Sequence, residues 1–119
     1  MSRISLLIAG LVATLALAAP SAGMGVTKLT GTTGPGFTIT LKKRGVMVRT
    51  LKPGKYSITV NDKSTIHNFR LKGPGLNRQI TALMFKGTKT VTVTLRKGTY
   101  MYVCDPHATQ GMKHTFRVA

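Results

Sequence analysis

The sequence predicts an all-β protein, a sandwich of about seven or eight short strands. Three observations lead to this prediction. Apolar and polar residues alternate along most of the chain after residue 36, as in strands with one buried face. Turn-forming combinations of Gly, Pro, Asn and Asp separate the alternating segments. The length of 119 residues suits a single domain with one core.

The N-terminus has the pattern of a secretory signal peptide over residues 1–18. Arg3 gives a positive start, residues 4–19 are almost wholly apolar, and Ala16-Leu17-Ala18 fits a cleavage signal. The apolar run is short for a membrane span, so we expect cleavage rather than an anchor. The mature protein is therefore expected to be exported, to the periplasm, the cell envelope or the extracellular space.

The remaining chain divides into a leader and a folded domain. Residues 19–36 are rich in Gly, Thr, Ser and Pro and are expected to form a flexible leader, with a short strand near Val26 to Thr30. Residues 37–119 are expected to form the domain. Its predicted strands contain, in order, these sets of residues: Phe37, Ile39 and Leu41; Val46 and Val48; Tyr56, Ile58 and Val60; Ile66 to Leu71; Val91, Val93 and Leu95, with threonines between; Tyr100, Tyr102 and Cys104; Phe116 and Val118. The segment from Leu76 to Lys86 lacks clean alternation and is expected to hold a helical turn or an irregular loop.

The charge is strongly positive, with 18 Lys and Arg against two acids, Asp62 and Asp105. Loss of Arg3 with the signal peptide lowers the formal net charge from +16 to +15. Such a surface attracts anions, so we expect an acidic redox partner protein or an anionic envelope surface as partner. No nucleic-acid-binding motif and no row of stacking aromatics is present, so no nucleic-acid partner is expected. A monomer without a small-molecule substrate is expected.

One stretch near the C-terminus contains three side chains of types that can coordinate copper. Cys104, His107 and Met112 offer a thiolate, an imidazole and a thioether at positions 0, +3 and +8. Cys104 would end a strand, while Pro106 and Gly111 would shape a tight loop that returns the other two residues to its side. The spacing therefore predicts a single metal site built on one loop.

A site of this kind needs a second histidine, and His67 is the candidate. Two histidines and one cysteine with a weak axial methionine describe the blue-copper electron-transfer sites. Taken singly, each residue has a structural explanation: Cys104 could be a buried small hydrophobe, and His67 a hydrogen-bonded core residue. All four together favour the metal site. Cys104 is the only cysteine, so an internal disulfide is excluded.

The sequence resembles the plastocyanin–pseudoazurin branch of the cupredoxins over about residues 37–118. The likeness rests on four segments: Leu51-Lys52-Pro53-Gly54-Lys55-Tyr56, His67-Asn68-Phe69, residues 98–107 ending in Cys104-Asp105-Pro106-His107, and Met112. It implies a cupredoxin-like Greek-key β-sandwich holding one type 1 copper ion. The implied metal ligands are His67, Cys104, His107 and Met112.

The resemblance also implies supporting roles around the metal. The backbone N–H of Asn68 would donate to the Cys104 sulfur, a bond that tunes such sites. His107 would lie at the surface beside Pro106 and Ala108, and electrons would leave through its imidazole edge.

The sequence departs from the family pattern at two positions. Asp105 stands where plastocyanins proper carry a small hydroxyl residue, which leaves the reduction potential open. His114 stands where Gly is common, and we expect it to be a solvated side chain rather than a ligand.

The predicted function is electron transfer rather than enzymatic catalysis. Four protein ligands leave no open position on the metal, and two acids leave little scope for acid–base catalysis by carboxylates. The main alternative is an extracytoplasmic copper-binding protein for sequestration or delivery, although the other methionines are scattered rather than clustered. A further alternative is a structural or adhesive module that works through its basic surface. The site could also hold zinc, but Met112 favours copper over zinc.

Overall fold

The computed structural model describes residues 25–119 and places most of them in strands. These strands are β1 (Thr27–Thr33), β2 (Ile39–Lys43), β3 (Val46–Met47), β4 (Thr50–Leu51), β5 (Gly54–Asp62), β6 (Phe69–Gly73), β7 (Leu76–Thr81), β8 (Gly87–Leu95), β9 (Gly98–Val103) and β10 (Lys113–Val118). One 3₁₀ helix, Asp105–Gln110, lies between β9 and β10. No helix among residues 25–119 has the length and apolar character needed to cross a membrane.

The strands form two five-stranded mixed sheets. Sheet A has the order β3-β2-β1-β5-β8, and sheet B has the order β4-β10-β9-β6-β7. Strand β1 is parallel to β5 and β4 is parallel to β10, while the other neighbours are antiparallel. The predicted all-β sandwich is therefore confirmed.

The core lies between the sheets and follows the period-two pattern. Strand β5 shows it most clearly, because Tyr56, Ile58 and Val60 are buried while the residues between them are partly exposed. In sheet B the fully buried rings of Phe69 and Tyr102 stack with centroids 5.6 Å apart. These contacts fix the positions of the strands whose ends carry the candidate metal ligands.

The described strands number ten, and without β3 and β4, which have only two residues each, eight remain, in agreement with the predicted seven or eight. One sequence prediction about the elements was wrong in part. The segment from Leu76 to Lys86 was expected to hold a helical turn or an irregular loop, but its first part, Leu76–Thr81, forms β7 at the edge of sheet B, and only residues 82–86 form a loop. An edge strand pairs on one side only and its first residues are largely exposed, so it shows little apolar alternation.

The boundary of the folded domain also needs correction. Strand β1 lies within the segment expected to be a flexible leader, and it pairs with both β2 and β5 while burying Leu29. The expected strand near residues 26–30 is thus present, but it is longer and central to sheet A. Phe37, expected on a strand with Ile39, lies in the loop between β1 and β2 and is 51% exposed. The predicted signal peptide lies outside the described residues.

Candidate metal centre

Three of the four predicted ligands converge at one end of the sandwich. The Nδ1 atoms of His67 and His107 lie 3.1 Å apart, and both face the sulfur of Cys104 at 3.6 Å and 3.5 Å. Within the described residues these three side chains form a group able to hold a metal ion. Each contributes one donor atom, two imidazole nitrogens and one sulfur. The predicted trio is therefore assembled by the fold.

The loop after β9 places three of the predicted residues. Cys104 follows β9 directly, and the 3₁₀ helix carries His107 back beside it. The loop is closed by two backbone bonds: the N–H of Cys104 donates to the carbonyl of Met112 at 3.0 Å, and the N–H of Met112 donates to that of His107 at 3.3 Å. Gly111 has φ +94°, a conformation that suits glycine and reverses the chain into β10.

Met112, the predicted axial ligand, lies at the buried end of this loop. Its side chain is fully buried and belongs to the same apolar cluster as Cys104. A thioether is a soft donor that favours copper among the metals bound by Cys and His. The donor set of this end of the sandwich, one thiol, two imidazoles and a buried thioether, fits a single type 1 copper ion.

His67 is positioned by residues that the sequence analysis did not single out. It lies in the loop before β6, not on the strand as expected, and it is fully buried. Its Nε2 is 3.4 Å from the carbonyl oxygen of Pro35, so Nδ1 is the nitrogen left to face Cys104. Gly34 packs so closely on the ring that a Cβ there would lie 2.6 Å from its Cδ2 atom. The β1–β2 loop therefore orients this histidine.

His107 is partly exposed and is covered on one side by an aromatic ring. Phe37 stacks on it with ring centroids 4.5 Å apart and an interplanar angle of 23°. The same Phe37 ring meets His67 edge-on at 5.8 Å. The only sequence signal for this role was an apolar residue between Gly36 and Thr38, next to a Gly-Pro-Gly turn. Such a signal cannot identify a distant stacking partner.

Asn68 links the two ligand loops through its side chain. Its backbone acts on the pKa of the Cys104 thiol, which hydrogen bonding from this group lowers. Its side-chain amide donates to the carboxylate of Asp105 at 2.8 Å and to Gln79 at 3.0 Å. In return, the backbone N–H of Asp105 donates to the Asn68 side-chain oxygen at 2.7 Å. These bonds hold the His67 loop and the Cys104 loop in a fixed relation.

Asp105, one of the two residues that depart from the family pattern, is also held by a cation. Arg70 donates from Nε to its carboxylate at 2.9 Å. Burial by itself would raise the pKa of Asp105, but the hydrogen bonds from Arg70 and Asn68 and the charges of Arg70 and Lys72 outweigh it, so the pKa lies below its ordinary value. The carboxylate is therefore ionised and its charge is largely balanced by Arg70.

Two opposing effects act on the Cys104 thiol. Burial raises the pKa of this thiol, and the negative charges of Asp105 and Asp62 raise it further. Backbone hydrogen bonding from Asn68 and His107 lowers the pKa. The raising effects are larger, so the pKa of Cys104 lies above its ordinary value. A metal ion reverses this balance, since a coordinated thiol is deprotonated outright. Metal binding at this site should therefore release a proton.

His114 lies apart from the three converging ligands. It is exposed on β10, and its ring centroid is 5.5 Å from that of Tyr102. The position fits the expected solvated side chain. Tyr100 and Tyr102 are fully buried core residues, as expected.

Comparison with known proteins agrees with this geometry. Residues 44–119 match the model of the family described as copper binding proteins, plastocyanin/azurin family. No curated protein matches the chain.

Among solved structures, a copper protein rusticyanin aligns with a TM-score of 0.58 and 20% identity over 77% of this chain and 76% of its own. Rusticyanin from Thiobacillus ferrooxidans aligns with a TM-score of 0.55 and 22% identity over the same shares. These structures show that the sandwich is of the cupredoxin type. The family match covers well over half of the chain and includes all four predicted ligands, so the chain belongs to the plastocyanin/azurin family of copper-binding proteins.

Proposed function

We propose that the protein is an exported electron carrier that uses one copper ion held by His67, Cys104, His107 and Met112. The observation that carries the proposal is the convergence of two imidazole nitrogens and one thiol at 3.1–3.6 Å, with His67 and Cys104 fully buried and His107 partly exposed. Bound copper would supply a one-electron Cu(II)/Cu(I) couple at this place.

Rigid placement of the ligands supports a carrier role. The loop bonds of Met112, the amide network of Asn68 and the contact of Pro35 with His67 hold the donor atoms together before any metal binds. A site that changes little when an electron arrives has a low barrier to electron transfer. Three of the four proposed ligands, His67, Cys104 and Met112, are buried, and four protein donors would leave no vacant position on the metal for a substrate. These features support a carrier rather than an enzyme.

His107 offers the shortest route between the site and a partner. It is the one partly exposed member of the trio. Phe37, which stacks on it, is 51% exposed, and Ile66, the residue before His67, is 52% exposed. The long-range field of the protein is positive, with a formal net charge of +16 for the full sequence. We propose that an acidic redox protein is attracted by this charge and docks over the His107 edge.

The export part of the proposal rests on the sequence of residues 1–18 alone. Their charged start, apolar run and Ala16-Leu17-Ala18 signal are typical of a cleaved leader. Edman sequencing or intact mass of the protein recovered from its native envelope would test it. A mature N-terminus at Ala19 is expected, and recovery of the full-length chain from the cytoplasm would contradict it.

Copper titration of the apo domain tests the electron-carrier proposal. Wild type should develop an intense thiolate-to-copper band in the visible range with narrow hyperfine splitting in spin resonance, and a reductant should bleach the band reversibly. Cys104→Ser should lose the band, because the thiolate is its source. A colourless complex in wild type, or a complex that releases copper readily to a chelator, would favour copper sequestration or delivery instead.

A further inference from the structure

The outer face of sheet A has an unusual composition. It consists of the side chains of β1, β2, β5 and β8 that point away from the core, and all of them are exposed or partly exposed. Strand pairing arranges them in four rows. The first two rows are Lys42–Thr30–Thr59–Thr90 and Thr40–Thr32–Asn61–Thr88. The other two are Lys28–Ser57–Thr92 and Lys55–Thr94.

We call this surface the hydroxyl–lysine face. Threonine fills most of its positions, Ser57 and Asn61 fill two more, and the rest are lysines at its margins. It carries no acidic side chain, because Asp62 on β5 points inward and is 3% exposed. The four strands that form it contribute no apolar side chain on this side, and Met47 of the edge strand β3 continues the first row beyond Lys42. Threonine is favoured in exposed strands. With only two acids in the chain, the lysines of this face have no acidic side chain beside them on it.

From this composition we propose that the hydroxyl–lysine face binds an acidic polysaccharide. Rows of hydroxyls can donate to and accept from sugar hydroxyls, while Lys28, Lys42 and Lys55 can pair with carboxylates at the margins. Four neighbouring strands give a surface about 14 Å wide. Some hydroxyls already bond across strands, Thr59 to Thr90 at 2.9 Å and Thr88 to Asn61 at 3.0 Å, which fixes their orientation for a ligand.

The same composition disfavours other anionic partners. Protein interfaces are enriched in aromatic residues, Met and Arg at their centre, and the face has none of these. Single-stranded nucleic acid needs aromatic rings for base stacking. A peripheral membrane contact needs apolar side chains to enter the lipid. A polymer that carries hydroxyls and carboxylates needs hydrogen-bonding groups and cations, and the face has both.

The face lies away from the route proposed for electrons. The metal centre is formed by loops at one end of the sandwich, whereas the hydroxyl–lysine face is the flat side of sheet A. A polymer lying on that side leaves His107 uncovered. Retention on an acidic envelope polymer is then compatible with electron exchange, and this inference, which rests on the proposed export and carrier function, gives the anionic envelope surface expected from the sequence a specific chemical class.

Affinity electrophoresis through gels containing alginate, a polyuronate, tests the proposal, with dextran as the neutral polysaccharide. The apo protein is used first, so the result does not depend on whether copper transfers electrons. The triple variant Lys28→Gln, Lys42→Gln, Lys55→Gln should bind alginate about tenfold more weakly than wild type, as expected for three exposed ion pairs. The control Lys72→Gln, Lys113→Gln, Arg117→Gln removes the same charge from sheet B and should lose far less.

A second variant separates hydroxyl recognition from charge. Thr30→Val, Thr59→Val, Thr90→Val keeps the β-branched shape and the net charge, and should also weaken alginate binding. Circular dichroism confirms that each variant is folded. Equal loss in both charge triples, with no effect of the threonine variant, would show adsorption by net charge alone and overturn the proposal. Dextran binding as tight as alginate binding would overturn the acidic class of ligand.

Discussion

Gly34→Ala tests how far the β1–β2 loop determines the position of His67. Two effects add at this position. Gly34 has φ +79°, which an L-residue adopts at a cost of about 1–2 kcal/mol. The new Cβ would also lie 2.6 Å from Cδ2 of His67, closer than any real contact, and the ring is fully buried. Moving a packed side chain adds about 1–3 kcal/mol. We expect a total loss of about 2–5 kcal/mol.

Two other glycines supply matched controls. Gly45 has φ +80° but nothing within 4 Å of its would-be Cβ, so Gly45→Ala measures the backbone cost alone. Gly36, two residues from Gly34, has neither a positive φ nor a close neighbour, so its replacement by Ala should be neutral or slightly stabilising. The difference between Gly34→Ala and Gly45→Ala is the energy of the contact with His67.

Urea denaturation of the apo proteins measures these free energies, and copper titration followed by visible absorption measures the site. Gly34→Ala should be the least stable variant and should bind copper more weakly, because its His67 ring is displaced. Gly45→Ala should lose stability but keep the wild-type copper spectrum. Equal stability of Gly34→Ala and Gly45→Ala, with unchanged copper binding in both, would refute the assignment of the loop as the support of His67.

Three further predictions follow from the same site. Phe37→Ala should lower the unfolding free energy of the apo protein by about 0.5–1 kcal/mol, since the substitution removes the ring stacked on His107. Phe37→Tyr should keep the wild-type unfolding free energy. Equal denaturation midpoints for the two variants would contradict a stabilising role of the stacked ring. Asp105→Asn should lose stability at neutral pH; because the pKa of Asp105 is lowered in the folded state, its contribution is present above about pH 4 and fades as pH falls through the folded pKa. Denaturation curves of wild type and Asp105→Asn should therefore converge on acidification, and a constant difference down to low pH would contradict the ionised Asp105. His114→Ala should leave copper affinity and the visible spectrum unchanged, and an altered blue band would place His114 at the metal.

The sequence alone determined those features that depend on short-range patterns. Period-two alternation in residues 56–60 or 98–104 reports which side of a strand is buried, so strands and core residues such as Ile58 and Tyr102 were predictable. The Cys104, His107 and Met112 spacing is likewise local, because one tight loop carries all three. The chemistry of their side chains then restricted the metal, and the resemblance to the cupredoxins implied His67 as the second histidine.

Tertiary structure decided what depends on residues distant in the chain. Nothing local distinguishes Phe37 as a stacking partner of His107, or Gly34 and Pro35 as the support of His67, since each contact joins loops some 30 or more residues apart. The bonds from Asp105 to Arg70 and Asn68 depend on β6 lying beside β9. Strand β1 looked like a polar leader because its outer side chains are hydroxyls and lysine, and β7 looked irregular because an edge strand needs little apolar alternation. Both strands bury side chains against the other sheet, Leu29 from β1 and Ile80 from β7, and such burial cannot be predicted from a short segment of sequence.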